Sequence, residues 1–148
     1  MRKILVLLVC VGLMGCSVRE HVIKMDRMRD GIYEVPIRLN DLAEYKFMLD
    51  TGCAESTIPA HVFYHMVVSG VVSTDDMLAS RDFRLADGSI VTCERFVLRK
   101  MVIGDIVLRD VSMSITKNGS PLLLGQNVLS RFGFVEIDYS KDLIILKK

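Results

Sequence analysis

Along residues 31–39, GIYEVPIRL, apolar and polar side chains alternate as they do on a strand with one face in a core and the other in water. Asn40 and Asp41 supply turn chemistry, and AEYKFML (43–49) returns as a second strand that runs directly into Asp50. Pro59 precedes HVFYHMVV (61–68), where Val62, His65 and Met66 recur at helical spacing and predict a short helix. SGVVSTDD (69–76) reads as loop. From 81 to 116 the chain reads as strands broken at Asp87-Gly88 and Gly104-Asp105, both good hairpin turns. LLLGQNVLSRFG (122–133) sets an apolar run and a glycine before a short amphipathic helix, and FVEIDYSKDLIILKK (134–148) reads as a closing hairpin. With no internal repeat and no low-complexity tract, the pattern predicts a mostly β domain with one or two short helices.

Before residue 31 the pattern changes. Arg2 and Lys3 precede ILVLLVCVGLM, an apolar stretch of 11 residues that is too short to span a bilayer but suits the central region of an export signal. Leu13-Met14-Gly15-Cys16 resembles the bacterial lipobox, in which the cysteine is lipidated and becomes the first residue of the mature chain. Ser17 follows it, and by resemblance to Gram-negative lipoproteins this implies the outer membrane, with the domain facing the periplasm. A plain secretory signal, or a short anchor left in place, is the competing reading. On the lipobox reading residues 1–15 are a lipoprotein signal peptide. Residues 16–30, charged and without a sustained strand period, are then a tether. Residues 31–148 form one domain of ordinary size.

Composition narrows the partners. The 19 Lys+Arg and 18 Asp+Glu nearly balance, and no basic run gives an electrostatic footprint for nucleic acid. Of the four cysteines, Cys10 leaves with the signal and Cys16 takes the lipid, so Cys53 and Cys93 remain as an even pair in an oxidising compartment. His61 and His65 lie at a spacing that can bind zinc, with Cys53 not far off, yet no third ligand is evident, so neither metal nor cofactor is expected. A Cys53 thiolate working with one of these histidines is a further reading, and a paired or packed cysteine is simpler. Asp138 and Asp142, flanking Tyr139-Ser140-Lys141, read as turn residues.

The candidate chemistry lies in FMLDTGCAEST (47–57). Two apolar residues precede Asp50-Thr51-Gly52, a hairpin follows with Ala86-Asp87-Gly88 at its tip, and Leu123-Leu124-Gly125 then leads into a helix. Over residues 31–148 this order resembles the retropepsin-like (retroviral-type) aspartic peptidases, especially their single-domain bacterial branch. Alone, the tripeptide would favour a turn aspartate at the end of a strand. The downstream motifs turn the reading toward catalysis.

The resemblance implies a single-lobe closed β-barrel of the acid-protease fold and an endopeptidase acting on peptides or proteins. Peptide hydrolysis without metal or covalent nucleophile needs one group to activate water and another to protonate the carbonyl oxygen, and two carboxylates sharing a proton provide both. One chain offers one such motif, so the resemblance implies a homodimer with an Asp50 from each copy. Thr51 would bond across the two-fold axis, and Gly52 would let the backbone turn close to substrate. Leu124 and Gly125 would support the active-site loop. The hairpin around Ala86, Asp87 and Gly88 would close over substrate as a flap. The return strand of that flap passes near the active-site loop in relatives, so a disulfide between Cys53 and Cys93 is expected. Cys53 and Gln126 depart from the family pattern, the latter standing where retroviral enzymes carry an ordering arginine. The rival reading is a catalytically silent lipoprotein that keeps the fold as a peptide-binding or dimerisation module.

Overall fold

The structure, a computed structural model, describes residues 19–147. The expected signal segment and Cys16 lie outside the described residues. In chain order the elements are β1 (Glu20–Lys24), β2 (Asp26–Arg27), β3 (Tyr33–Leu39), β4 (Glu44–Leu49), β5 (Thr57–Pro59), α1 (Ala60–Val68), β6 (Met77–Arg84), β7 (Ile90–Ile103), β8 (Ile106–Thr116), β9 (Leu123–Leu124), α2 (Gln126–Leu129), β10 (Phe134–Asp138) and β11 (Leu143–Lys147), with a 3-10 turn at Thr74–Asp76.

Strand pairing closes on itself. β3 pairs antiparallel with β4, β4 runs parallel to β9, and β9 meets β5 where Leu123 faces Thr57. β5 runs parallel to β8, β8 pairs with β7, and β7 returns to β3 through Ile37↔Ile103 and Leu39↔Met101. The result is a closed barrel, which leaves no free edge around its core. The alternation read along β3 sends Val35, Ile37 and Leu39 inward, each fully buried, while Arg38 faces water. Phe47, Ile58, Leu98, Met101, Met113 and Leu124 fill the interior from the other strands. Each such side chain contributes roughly 1.5–3 kcal/mol relative to exposure.

β7 is long enough to serve two purposes. Its inner end closes the barrel against β3, and its outer end pairs with β6 from Arg84↔Ile90 inward, projecting as a hairpin tipped by residues 85–89. α1 begins directly after Pro59 and packs Val62 and Met66 into the core, with Phe63 against Phe96 at a ring separation of 5.0 Å. His65, the third member of the expected stripe, is exposed. The expected loop at 69–76 contains the buried Val72 and a 3-10 turn capped reciprocally by Ser73 and Asp76, and β6 starts at Met77, ahead of the expected 81.

Residues 20–27, expected within a tether, belong to the folded domain. β1 pairs antiparallel with β11, which pairs in turn with β10, and β2 pairs with β3. Ile23 and Met25 are buried, and the Met25 amide donates to Asp142 O at 2.8 Å. The charges that masked this strand lie on its outer side and find partners there, Glu20 with Lys147 and Lys24 with Asp142. A Cβ on Gly104 would come within 2.9 Å of Ile23 Cγ1, so the β7–β8 turn closes tightly over β1. If residues 20–27 are structural, Met25→Ala should lower the free energy of unfolding by about 2–5 kcal/mol, read from a denaturant midpoint. A tether residue would show no such loss.

Candidate active site

Asp50 sits at the end of β4, partly exposed, and its direction follows from the strands beside it. Parallel pairing of Met48 with Leu123 and Leu49 with Leu124 carries β4 to the loop, where the Asp50 amide donates to Leu124 O at 3.1 Å. The chain then turns back, with the Cys53 amide donating to Asp50 O at 3.3 Å and the Gly52 amide to Asp50 Oδ1 at 2.9 Å. The carboxylate is thus oriented by its own loop. A Cβ on Gly52 would stand 3.3 Å from that same Oδ1 and crowd it.

The segment around Gly125 clamps the loop. The amides of Gln126 and Asn127 donate to the carbonyls of Cys53 and Ala54 at 2.8 and 3.1 Å, and the Gln126 side-chain amide donates to Thr51 O at 2.8 Å. The Asn127 side chain accepts from the Ser56 amide and hydroxyl, at 2.8 and 2.9 Å, and donates to Ser112 O at 2.7 Å. Such close approach requires glycine at 125: a Cβ there would lie 2.8 Å from Cys53 O, a backbone atom that cannot move aside without moving the loop. Leu124 beneath is buried in the core.

A cavity of about 470 Å³ opens beside Asp50. Cys53, Glu55 and Thr57 line it from the loop and β5, Arg81 to Arg84 from β6, and Leu85 and Ala86 from the hairpin tip. Of the expected trio at that tip, Ala86 alone faces the cavity. Asp87 instead accepts from the Ser89 amide and hydroxyl, at 2.9 and 2.6 Å, and Gly88 takes the left-handed φ of +85° that the turn needs. On the other side Asp50 and Thr51 border a shallower groove lined by Tyr33, Met48, Ile137 and Tyr139.

Cys53 and Cys93 both line the cavity, but the expected disulfide is absent and both are free thiols. Cys53 Sγ is turned to Glu55 O at 3.0 Å. Burial pushes both thiols up, so they stay protonated at neutral pH and neither is poised as a nucleophile. The His61 backbone amide bonds to Asn118 Oδ1 at 2.8 Å, and among the described residues no cluster of three His, Cys, Asp or Glu could hold a metal ion.

Sequence reasoning missed Glu55. Its carboxylate is 4% exposed and takes two bonds from Arg95, Nε at 2.7 Å and Nη2 at 2.6 Å, plus the Ser114 hydroxyl at 2.5 Å. Burial alone would push the carboxyl up. Hydrogen bonds from Arg95, Ser112 and Ser114 outweigh it and hold the group at about 2 instead of the usual 4.5. The bridge ties the loop to β7, the return strand of the hairpin. The one hint in sequence was a glutamate among small residues, and nothing local pointed to a partner 40 positions on.

Residues 35–131 match the profile of a family described as gag-polyprotein putative aspartyl protease. The fold is similar to the crystal structure of a retropepsin-like aspartic protease from Rickettsia conorii, with a TM-score of 0.61 and 25% sequence identity over 88% of this chain and 91% of that one. No curated protein sequence matches the chain. The mostly β, retropepsin-like barrel expected from the motifs is therefore the fold observed.

Removing Arg95 would strand a buried charge. Arg95→Met should cost about 3–5 kcal/mol at neutral pH in denaturant unfolding. In the native chain the Glu55 contribution is complete above its unfolded pKa and drains as pH falls from about 4.5 toward about 2. In the variant, burial without the guanidinium raises the same carboxyl, so acid relieves the strain. The stability gap between the two should therefore narrow on acidification.

Proposed function

The chain belongs to the gag-polyprotein putative aspartyl protease family, and from that premise we propose that it is an aspartic endopeptidase working as a homodimer, with Asp50 of each copy forming the catalytic pair. The observation that carries the reading is the Asp50 carboxylate, held by the Gly52 amide on a clamped loop, at the mouth of a cavity reached by the hairpin tip.

Within one chain a single carboxylate cannot both accept a proton from water and deliver one to the carbonyl oxygen in the same step. A second Asp50, across a two-fold axis, supplies the missing group, and mutual repulsion makes the pair share one proton. Water between the carboxylates attacks the peptide carbonyl as one aspartate takes its proton and the other protonates the oxygen. Thr51 borders the groove outside the cavity, and in the proposed dimer the second copy would bring its own loop to that side. Its hydroxyl would bond across the axis, and Gly52 would let substrate backbone come near. Leu124 and Gly125 support the loop, and Ala86 would meet substrate when the hairpin descends.

We also place the protein at the bacterial cell envelope, anchored by lipid on Cys16 and facing the periplasm. β1 starts at Glu20, so a lipid at Cys16 would hold the domain close to the bilayer with little slack. Metabolic labelling with a fatty-acid analogue should mark the wild type, and Cys16→Ser should abolish the label. An unlabelled wild type would overturn the anchor.

Asp50→Asn is nearly isosteric, so it should keep fold and dimer while lowering kcat by at least about 10³-fold, since the pair can no longer move protons. Mixed with wild type it should form inactive heterodimers, and activity should fall faster than the wild-type fraction. Full activity in Asp50→Asn, or an active monomer on dilution, would defeat the mechanism. A stable dimer that binds peptides and never cleaves them would favour the binding-module reading.

A further inference from the structure

The hairpin of β6 and β7 divides at one place. On the barrel side Met77 pairs with Phe96 and Leu78 with Arg95, and Phe96 is fully buried against Phe63. On the tip side Arg81 pairs with Cys93, and the ladder continues to Arg84↔Ile90. Between them Ala79 and Ser80 stand opposite Glu94 alone, a bulge of one extra residue on β6. From Arg81 to Thr92 every side chain except the half-buried Phe83 is exposed. Beneath this arm Phe83, Leu85 and Val91 line the cavity beside Asp50 instead of packing into the core.

Beyond the bulge the arm is braced within itself. The Thr92 hydroxyl donates to Asp82 across the ladder at 2.6 Å, and the Leu85 amide closes the tip by donating to Ser89 O at 2.8 Å. A braced arm with open space beneath it and one irregular point at its base moves as a unit about that point. Arg95 stands beside that point and grips what lies around it. Its Nε and Nη2 donate to the Glu55 carboxylate at 2.7 and 2.6 Å, and its Nη1 reaches Ala79 O, in the bulge, at 3.4 Å. One planar guanidinium thus joins the loop that follows Asp50, the return strand and the bulge.

Building on the peptidase reading, we propose that the hairpin closes over substrate by pivoting at the bulge of Ala79 and Ser80, and that Arg95 is the positioning residue that fixes this pivot against the Asp50 loop. The height of the arm above Asp50 is then set by the Glu55 bridge, because the same guanidinium meets both the loop and the hinge. A lysine at 95 would keep a cation beside Glu55. Its single ammonium could not hold two carboxylate oxygens and the Ala79 carbonyl in one plane, so it separates charge compensation from positioning.

The test follows amide hydrogen exchange in the full-length chain, in Arg95→Lys and in a chain lacking Ser80. That deletion removes the extra residue and leaves each pairing from Arg81↔Cys93 to Arg84↔Ile90 in place. In wild type the amides of residues 81–92 should exchange together and faster than those of 96–103, with the boundary at the bulge. Arg95→Lys should carry fast exchange inward to Met77 and Leu78, and the deletion should slow the arm. In peptide cleavage Arg95→Lys should raise KM about tenfold with kcat little changed, because fewer molecules hold the arm where substrate binds. Mere loss of folded protein would instead lower apparent kcat at constant KM. That kinetic outcome, an exchange boundary elsewhere, or exchange unchanged in Arg95→Lys would overturn the proposal. A deletion that fails to fold leaves Arg95→Lys to decide. If wild type cleaves no peptide, the peptidase reading falls, and the exchange pattern alone decides the hinge.

Discussion

The contact between Gly125 and the backbone of residues 53–56 is the constraint on which the site depends. Two chain segments far apart in sequence meet so closely that one of them can carry no side chain at that point. What the missing Cβ permits is a set of main-chain bonds, from the amides of Gln126 and Asn127 to the carbonyls of Cys53 and Ala54. Buried backbone groups must find partners, and here those partners are the loop that bears Asp50. The direction of one carboxylate therefore rests on the absence of a methyl group at another position. Because β9 leads into Gly125 and runs parallel to β4, the strand that delivers Asp50 and the strand that delivers the clamp are neighbours in the same barrel.

The Glu55–Arg95 bridge adds a second tie, between this loop and the strand that returns from the hairpin. Burying an ion pair gains little over a well-packed apolar pair, and its retention beside the cavity fits a role in fixing geometry more than in raising stability. Its low pKa gives it a further property. A carboxyl held at about 2 stays ionised through the mildly acidic range where a proton-sharing aspartate pair operates. The frame of the site would thus keep its charge while the carboxylates of the proposed Asp50 pair change theirs. Gln126 contributes in a smaller way, its side-chain amide donating to Thr51 O, so the loop is held by an amide at 126 as well as by the guanidinium at 95.

Local pattern revealed those elements whose reasons are local. The β3–β4 hairpin was legible because Val35, Ile37 and Leu39 alternate with polar residues and the turn chemistry sits between the strands. The hairpins at Asp87-Gly88 and Gly104-Asp105 were legible because left-handed turn positions demand particular residues, and both glycines have positive φ. β1 escaped notice because its five residues present charges on one side and few apolar groups on the other, and its strand partner, β11, lies at the opposite end of the chain. The start of β6 escaped for a similar reason, since most of that strand is exposed and carries no alternation to read.

The sequence by itself determined the β3–β4 hairpin with the inward face of β3, the turns at Asp87-Gly88 and Gly104-Asp105 and the aspartate that ends β4, because periodicity and turn chemistry act over a few residues. It also carried the glycine at 125, though not what that glycine touches. Only the tertiary structure decided that Cys53 and Cys93 stay unbonded, that Asp87 turns back to Ser89 while Ala86 faces the cavity, and that Glu55 finds Arg95. Those outcomes depend on distances between segments that share no local signal, and such distances exist only once the barrel has closed.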